Sequence, residues 1–371
     1  MKRIFTVLTS IALTFALSFS AAFANDDAFL KSQNYLKTIA LDSPDAVIAY
    51  EATGMEADYK ADALLNNFKE TDYITASYGD LAKSIIAISL LGENPKDFNK
   101  TNLVEILENR VQEDGTLTND VNGGCGATIW TLMALETVNS PKVKAVADKL
   151  STMAMANGAY WYEYQGKNAD LDTTGWAMEA LSVAGRSTYD AAISKAYTFV
   201  QSKLNSTDGY YDNWGGNADT QSCVLEGLSV AGYTLDTNAY NYLLSYQNED
   251  GTFNALNYST GQLEPNAYAS VEGARALGVI NNGSFVLMAR RDYTKTTTPV
   301  VTEPETPTKP STPTTPGTTT PAVKPETTTT EPKKETVKVV NTGDNTNVMA
   351  YVVVAIAAVG VIVLVIKSKK K

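Results

Sequence analysis

The chain has 371 residues, with 41 acidic and 30 basic side chains, a formal net charge of −11 and no histidine. The acidic excess disfavours nucleic acid and other polyanionic partners, because such polymers would be repelled. Without histidine, a zinc site that uses an imidazole ligand is excluded.

The N-terminal segment has the order of a secretory signal peptide. Lys2 and Arg3 precede an apolar stretch, and small residues follow it. This order predicts a signal peptide over residues 1–24, with cleavage between Ala24 and Asn25. The remainder of the chain would therefore be exported.

Five similar segments recur along the next part of the chain. They end in Gly or Asn at spacings of 47, 46, 47 and 46 residues, at Gly92, Asn139, Gly185, Gly232 and Gly278. Gly and Asn suit the left-handed position just past the last turn of a helix. Self-similarity at a fixed period is typical of a repeat architecture. Each segment is therefore interpreted as the end of one inner helix.

A second set of amphipathic helices is predicted between these inner helices. They lie at residues 103–111, 143–153, 191–204 and 238–246, and further hairpins are predicted at 29–53 and 57–91. Each repeat is then an outer helix followed by an inner helix. Six such hairpins would close into a ring over residues 25–292, which carries a net charge of −17.

The two kinds of connection differ in length. The connection after each inner helix is short, whereas 12 or more residues precede each inner helix. The long connections contain an Asp-Gly or Asn-Gly turn at residues 112–117, 157–160, 207–211 and 247–253. An apolar residue three positions after the Asp or Asn, such as Tyr160 or Tyr211, is expected to pack against the ring. All long loops would lie on one rim.

These turns, together with DTTGWAMEALSVAG at residues 172–185, resemble the prenyltransferase and squalene cyclase repeat superfamily over residues 57–278. The 172–185 segment is most similar to the toroids of cobalamin carriers related to intrinsic factor. The resemblance implies an all-α fold, a single α/α toroid of about six helical hairpins. It also implies a corrinoid as one ligand to consider.

The enzymes of this superfamily are a poor match. Protein prenyltransferases hold zinc with Asp, Cys and His, and this chain has no His. Triterpene cyclases use Asp-x-Asp-Asp, whereas residues 170–173 read Asp-Leu-Asp-Thr. Thioester proteins use Cys-Gly-Glu-Gln, whereas residues 125–128 read Cys-Gly-Ala-Thr. The comparison predicts no metal and no cofactor, and it argues against catalysis.

The long-loop rim is the predicted contact face. The N-termini of the inner helices would converge there, which favours a small polar or anionic ligand. Asp172 and Asp219, one repeat apart, are interpreted either as N-caps or as ligand contacts. Aromatic side chains that would stack on a glycan or another flat ligand complete the candidate set: Trp161, Tyr162, Tyr164, Tyr210 and Trp214.

Three glutamates offer an alternative site. Glu179, Glu226 and Glu272 each lie six residues before the Gly that ends an inner helix, which predicts equal depth in the ring. Neighbouring inner helices are about 8–10 Å apart. Two carboxylates at about that separation are what an inverting glycosidase requires. The competing interpretation is that they bond to helix N–H groups, Tyr hydroxyls or Arg275. Cys125 and Cys223 are predicted to be buried thiols rather than a disulfide.

The C-terminal part predicts a stalk and an anchor. Nine of the thirteen prolines fall in a Thr/Pro-rich linker over residues 293–338, which is expected to be extended and disordered. Residues 339–347 resemble a Gram-positive cell-wall sorting signal, with cleavage between Thr342 and Gly343. A 19-residue apolar segment at 348–366 is long enough for a transmembrane helix, and a basic tail, 367–371, would stay cytoplasmic.

Taken together, the sequence predicts a monomeric, non-catalytic binding or adhesion module displayed on the cell surface. Its ligand would be a small polar molecule or a glycan, and its anchor would join it to peptidoglycan or to the membrane. Two alternatives remain, a carbohydrate-active or terpenoid-cyclase-like toroid enzyme and a corrinoid-binding surface protein.

Overall fold

The computed structural model describes residues 26–57, 61–120, 124–211 and 216–290. The predicted signal peptide, linker, sorting signal, apolar anchor and Trp214 lie outside these residues. Helices dominate the described part, as predicted, and thirteen of them occur there with three short two-stranded hairpins. None of the helices in these four ranges is long and apolar enough to cross a membrane.

Six outer helices alternate with six inner helices along the chain. The outer helices are α1 (Asp26–Leu36), α3 (Asp62–Glu70), α5 (Leu103–Glu108), α7 (Val143–Ser151), α9 (Asp190–Gln201) and α11 (Thr237–Ser245). The inner helices are α2 (Pro44–Ala52), α4 (Tyr78–Leu90), α6 (Gly126–Thr137), α8 (Leu171–Gly185), α10 (Ala218–Val230) and α12 (Ala267–Asn282). A short helix, α13 (Phe285–Ala289), follows α12.

The two sets of helices differ in their burial. Outer helix α7 buries one stripe, Val146, Ala147 and Leu150, and leaves its other face to solvent. Inner helix α6 is buried at every position from Thr128 to Thr137. An amphipathic helix covers a core on one side, whereas a helix that is apolar all round must be surrounded. The sequence pattern therefore already separates the two layers.

The inner helices contact one another in a closed cycle. Each packs against the next in the order α2, α4, α6, α8, α10 and α12, and α12 packs back against α2. Helices α8 and α10 approach closely, because Gly175 lies against the backbone of Cys223 and Gly227 lies against the backbone of Gly175. A Cβ at Gly227 would overlap the carbonyl group of Gly175. Small residues at this level therefore allow the two helices to pack tightly.

The Asp-Gly and Asn-Gly turns pack closely against the outer helix of the following repeat. Gly115 lies against Ala145 of α7, and Gly158 lies against Lys195 of α9. Gly251, in the last such turn, lies against Lys31 of α1. All three glycines have positive φ, between 80° and 91°, so both the backbone conformation and the space require glycine. The last turn thus packs on the first helix of the chain.

Short β-hairpins occupy the long connections before α8, α10 and α12. They pair β1 (Tyr160–Glu163) with β2 (Lys167–Asp170), β3 (Leu204–Asn205) with β4 (Gly209–Tyr210), and β5 (Phe253–Asn257) with β6 (Gln262–Asn266). All three pairs are antiparallel. The all-α prediction missed them because these segments are short and only partly buried.

Two details of the predicted repeat are wrong. Gly278 does not end its helix, since α12 continues to Asn282 and the positive φ lies at Gly283. Gly278 instead stands in mid-helix against α2, where a Cβ would come within 2.7 Å of the Ala52 carbonyl carbon. Gly92, Asn139 and Gly232 have φ values of 79°, 52° and 75°, which confirms those three helix ends.

The second error concerns the turn at residues 207–211. Tyr210 is fully buried and pairs with Leu204, whereas Tyr211, predicted to pack against the ring, is 48% exposed. Successive side chains in a strand point to opposite faces, so only one of the two tyrosines can face inward. In this turn the buried apolar residue follows the Asp by two positions, whereas in the other turns it follows the Asp or Asn by three.

Candidate functional site

Helices α8, α10 and α12 begin in the same way. Asp170, Asn217 and Asn266 are their N-caps, and each side chain accepts a hydrogen bond from the N–H three residues later, at 2.8, 2.8 and 3.0 Å. These bonds satisfy N–H groups that have no partner within the helix. Asp172 and Asp219 are therefore not the N-caps, contrary to one sequence interpretation. Each lies two residues farther along its helix.

The same helices hold the hairpins in place. A polar side chain four residues after each cap accepts a hydrogen bond from a hairpin N–H. The three pairs are Thr174 with Tyr160, Gln221 with Tyr210, and Ser270 with Phe253, at 2.9, 2.9 and 2.7 Å. Buried polar groups need such partners, so the hairpins are fixed to the helix starts. This column was not predicted from the sequence, although its members are all polar residues four positions after an N-cap.

A second column of side chains lies at the open end of these helices. Asp172, Asp219 and Tyr268 occupy the position two residues after each cap. One turn deeper, six residues after the cap, come Trp176, Cys223 and Glu272. Residues four apart on a helix share a face, so the two sets form two layers. We call the four accessible members, Asp172, Trp176, Asp219 and Tyr268, the mouth.

The mouth is open to solvent above and closed below. Tyr268 is 51% exposed, and the other three members are partly buried. Cys223 and Glu272 beneath them are buried, and the Cys223 thiol donates to Oε2 of Glu272 at 3.8 Å. A ligand would therefore meet the mouth before reaching the buried layer.

A buried ionic cluster lies under the mouth, and we call its four members, Glu179, Glu226, Glu272 and Arg275, the polar core. Nε of Arg275 lies 3.2 and 3.0 Å from the two carboxylate oxygens of Glu226, and Nη2 lies 3.7 Å from Oε1 of Glu272. The Ser284 hydroxyl donates to Oε1 of Glu179 at 2.8 Å. None of the four side chains is more than 3% exposed.

The prediction that three glutamates share one depth is wrong for Glu272. Glu179 and Glu226 both lie nine residues after their N-caps, but Arg275 occupies that position on α12. Glu272 lies three residues closer to the helix start. The competing interpretation, in which a glutamate bonds to Arg275, describes Glu226. The sequence register misled because Gly278, which was expected to end the helix, stands in mid-helix five residues before Gly283, where the helix ends.

Several buried polar atoms in the mouth and the polar core have no hydrogen-bond partner. They are Oδ1 of Asp172, Oδ1 of Asp219, Nε1 of Trp176, Nη2 of Arg275 and Oε2 of Glu179. Buried polar atoms in proteins nearly always have a partner, so these five are exceptions that call for an explanation. Three are oxygens of carboxyl groups and two are N–H donors. The sequence could not show this, since it depends on which neighbours each atom meets.

Burial raises the pKa values of the carboxyl groups here. It raises the pKa of Glu272 to about 7, although the positive charge of Arg275 opposes the shift. It also raises the pKa of Asp219, again opposed by Arg275. The pKa of Asp172 is raised by burial and by the charge of Asp170. The pKa of Glu179 is raised by burial and by the charge of Glu226. Because these groups hold protons more tightly than free carboxyls, the site is less negative than its composition implies.

The other inner helices complete this end of the ring. Asp45 of α2 forms an ion pair with Lys83 of α4, at 2.8 Å. Nζ of Lys83 lies 4.7 Å from the centre of the Trp130 ring on α6. That ring meets the Trp176 ring edge-on, with centroids 5.6 Å apart. The ion pair and the two indoles thus join α2, α4, α6 and α8.

The aromatic residues that were predicted to form the contact face do not lie on one accessible surface. Trp161 is 9% exposed and its Nε1 donates to the Met153 carbonyl at 3.1 Å, so its role is in packing. Tyr210 is buried, as described above. Tyr162 and Tyr164 lie on the β1–β2 hairpin, and Tyr164 is 66% exposed. Of the predicted set, therefore, only these two tyrosines and the two aspartates are accessible among the described residues.

The cysteines behave as predicted. Both are free and buried, and burial raises the pKa of Cys125 to about 11 and that of Cys223 well above its ordinary value. Neither thiol is therefore a reactive thiolate near neutral pH. Within the described ranges, no group of three or more Cys, Asp or Glu residues has a geometry that could hold a metal ion.

Two grooves on the outside of the molecule have volumes of about 410 and about 450 Å³. The first lies beside Arg110, whose guanidinium donates to the carbonyl oxygens of Tyr73, Ile74 and Ala76. The second lies between α7 and α9. Neither groove includes a residue of the mouth.

No protein-family model matches the chain, and no curated protein matches it. Among solved structures, one similar chain is described as "Crystal structure of a protein from Actinoplanes". It is 12% identical, with a TM-score of 0.45, and the alignment covers 74% of this chain and 99% of that chain. A likeness at that TM-score and identity assigns neither a fold nor a function.

Proposed function

We propose that the six helical hairpins form an α/α toroid, and that this toroid is a surface-displayed binding module with the mouth as its ligand site. The cycle of contacts among the inner helices supports the toroid. The packing of Gly251 against Lys31, the last turn on the first helix, supports its closure.

One observation carries the proposal of binding. Three mouth residues at the starts of α8 and α10, Asp172, Asp219 and Trp176, each keep a buried polar atom that has no hydrogen-bond partner. An unpaired polar group under partial burial costs free energy, and a ligand that pairs it recovers that cost. The hairpins are hydrogen-bonded to the helix starts, so the site is held by rigid elements. Pre-organisation of this kind favours binding.

The charge of the site changes the expected ligand. The helix N-termini, which favoured an anionic ligand in the sequence analysis, carry capping side chains, and Asp172 and Asp219 stand beside them. Carboxyl groups at this end disfavour an anion. A polar ligand that is not anionic fits the site better.

Display at the cell surface rests on the sequence features outside the described residues. The predicted signal peptide exports the domain, and the linker, sorting signal and apolar segment retain it. Cell fractionation tests this: we expect the protein in the wall fraction, and Thr342→Ala should move it to the membrane fraction. Recovery of full-length protein in the cytoplasm would contradict display.

A ligand screen tests the binding function. Thermal shift with neutral and charged oligosaccharides, cyanocobalamin and geranylgeraniol should reveal one class that raises Tm, because a ligand of the native state stabilises it. Asp172→Asn and Asp219→Asn should abolish that shift, whereas Tyr258→Phe, at an 83% exposed position, should preserve it. A shift that survives in both Asn variants would show that the mouth is not the site.

Glycoside hydrolysis is the second candidate function. The pKa of Glu272, raised to about 7, is in the range that a general acid needs near neutral pH. Release of reducing ends from a bound oligosaccharide, lost in Glu272→Gln, would establish it. Binding without any product would leave the module non-catalytic.

A further inference from the structure

We propose that the mouth binds a neutral, polyhydroxylated ligand, a sugar ring of a glycan, by pairing its hydroxyls with the unpartnered donors and acceptors there. This inference rests on the proposed binding function and assigns its ligand class. It starts from the hydrogen-bonding character of the unpartnered atoms.

The unpartnered atoms are of two opposite kinds. Oδ1 of Asp219 accepts, whereas Nε1 of Trp176 and Nη2 of Arg275 can only donate. An ammonium ligand offers donors alone and would leave both N–H groups unpaired. A carboxylate or phosphate offers acceptors alone and would leave Asp219 unpaired. A hydroxyl both donates and accepts, so the hydroxyls of one ligand can pair Asp219 and Trp176 directly and Arg275 through a bridging water.

Arg275 shows that the deeper part of the site also requires a partner. Its side chain is 1% exposed, Nε is bound to Glu226, and Nη2 is left 3.7 Å from Oε1 of Glu272 on the side of the mouth. That separation is too long for a hydrogen bond, so the donor remains unsatisfied. A ligand hydroxyl, or a water that the ligand binds, completes it.

The charge balance agrees with a neutral ligand. Both cations of this end are already paired, Arg275 with Glu226 and Lys83 with Asp45. Burial also raises the pKa values of Asp172, Asp219 and Glu272, which weakens the attraction of these carboxyl groups for a cation. Neither a net positive nor a net negative ligand therefore gains from this site.

Aromatic rings supply the apolar part of such a site. The Trp176 ring on α8 is partly buried and held edge-on against Trp130, and the Tyr268 ring is half exposed at the start of α12. A sugar ring has an apolar face of C–H groups and an edge of hydroxyls. It can lie against an aromatic ring while its hydroxyls reach Asp172 and Asp219. The mouth therefore offers aromatic rings and polar side chains at the starts of the same helices.

Calorimetric titration of the exported chain distinguishes the ligand classes on one sugar scaffold. The probes are a neutral gluco-oligosaccharide, its amino-sugar counterpart and its uronic acid counterpart, each of the same length. We expect the neutral probe to bind at least about tenfold more tightly than either charged probe. Asp219→Asn and Trp176→Phe should weaken its binding about tenfold. Tyr211→Phe, at a 48% exposed position that is not one of the four mouth residues, should leave Kd unchanged.

The outcomes separate the ligand class from the binding function. Tightest binding of the amino sugar, or of the uronic acid, would overturn the neutral class. Binding of cyanocobalamin alone, lost in Asp219→Asn, would overturn the sugar but retain the binding function. Failure of every probe in the whole panel would defeat both. Circular dichroism melting of each variant keeps a folding defect distinct from a lost contact.

Discussion

At the residue scale, the ion pair of Arg275 with Glu226 is the most consequential interaction. Both side chains are 1% exposed, and they join α12 to α10. Two charges removed from water are tolerated only while they pair, because the desolvation cost of each is several kcal/mol. Loss of either partner leaves the other buried and alone.

Replacement of Arg275 should therefore destabilise the protein strongly. We expect Arg275→Met to lower the free energy of unfolding by about 3–5 kcal/mol, because Glu226 keeps an uncompensated charge. Adding Glu226→Gln should recover a large part of that loss. The matched control is Lys144→Met, which breaks an ion pair with Asp148 at the surface and should cost less than about 1 kcal/mol. Urea unfolding measures all three, and equal effects at the two sites would contradict the argument.

Glu272 should make stability depend on pH. Its folded pKa of about 7 lies above the unfolded value near 4.5, so the folded state binds the proton more tightly. The free energy of unfolding should fall as pH rises from about 4.5 to about 7, by on the order of 3 kcal/mol from this group. Glu272→Gln, which mimics the protonated side chain, should remove that part of the slope.

The control for this prediction is Glu249→Gln, because the Glu249 side chain is 95% exposed. The informative quantity is the stability difference between wild type and Glu272→Gln, followed by urea unfolding at several pH values. A difference that stays constant from pH 4.5 to pH 8 would show that the Glu272 pKa is not raised.

At the element scale, the turns before the inner helices define the repeat. Each Asp-Gly or Asn-Gly turn presents a glycine backbone to the outer helix of the following repeat. The turn and the helix approach so closely that no side chain fits between them. Glycine is required at these positions for packing as well as for φ.

Gly251 and Gly261 separate these two requirements. Both have positive φ, 86° and 70°, but only Gly251 faces another element, whereas nothing lies within 4 Å of a Cβ at Gly261. Gly261→Ala should therefore cost only the backbone term, about 1–2 kcal/mol. Gly251→Ala should cost about 1–3 kcal/mol more, because the turn must move away from α1. Chemical denaturation measures both, and equal costs would mean that the last turn does not rest on the first helix.

At the scale of the whole molecule, α13 contacts three inner helices, α2, α4 and α6. Phe285, Val286 and Ala289 are fully buried, and the Phe285 ring lies 6.3 Å from the Trp130 ring at an interplanar angle of 23°. Arg290, which follows the helix, forms an ion pair with Glu136. This short helix therefore packs against three inner helices at once.

Removal of the Phe285 side chain should weaken this packing. We expect Phe285→Ala to lower the free energy of unfolding by about 3–5 kcal/mol, as for other buried aromatic residues. Leu287→Ala, on the same helix but 49% exposed, should change it by less than about 1 kcal/mol. If the two substitutions had similar effects in thermal unfolding, α13 would not be part of the core.

The amino-acid sequence by itself determined the alternation of outer and inner helices, their number and most of their ends. Those features depend on local rules: the spacing of apolar residues along a helix, and glycine or asparagine just after its last turn. Gly92, Asn139 and Gly232 obey the rule, and their helices were predicted correctly. The burial of both cysteines also followed from the pattern.

Only the tertiary structure decided what stands next to what. The sequence predicts a helix end at Gly278, whereas the structure places this glycine against the backbone of Ala52. A glycine that ends a helix and a glycine that allows close packing cannot be distinguished by residue type alone. The partner of Glu226 is Arg275 because both lie nine residues after their N-caps, a register that the sequence conceals since Gly278 resembles a helix end. The mouth is a candidate site because Asp172, Asp219 and Trp176 keep buried polar atoms that form no hydrogen bond with a neighbouring residue. Helix periodicity is a property of one segment of the sequence. The pairing of side chains depends on distances between segments, and only the folded core sets those distances.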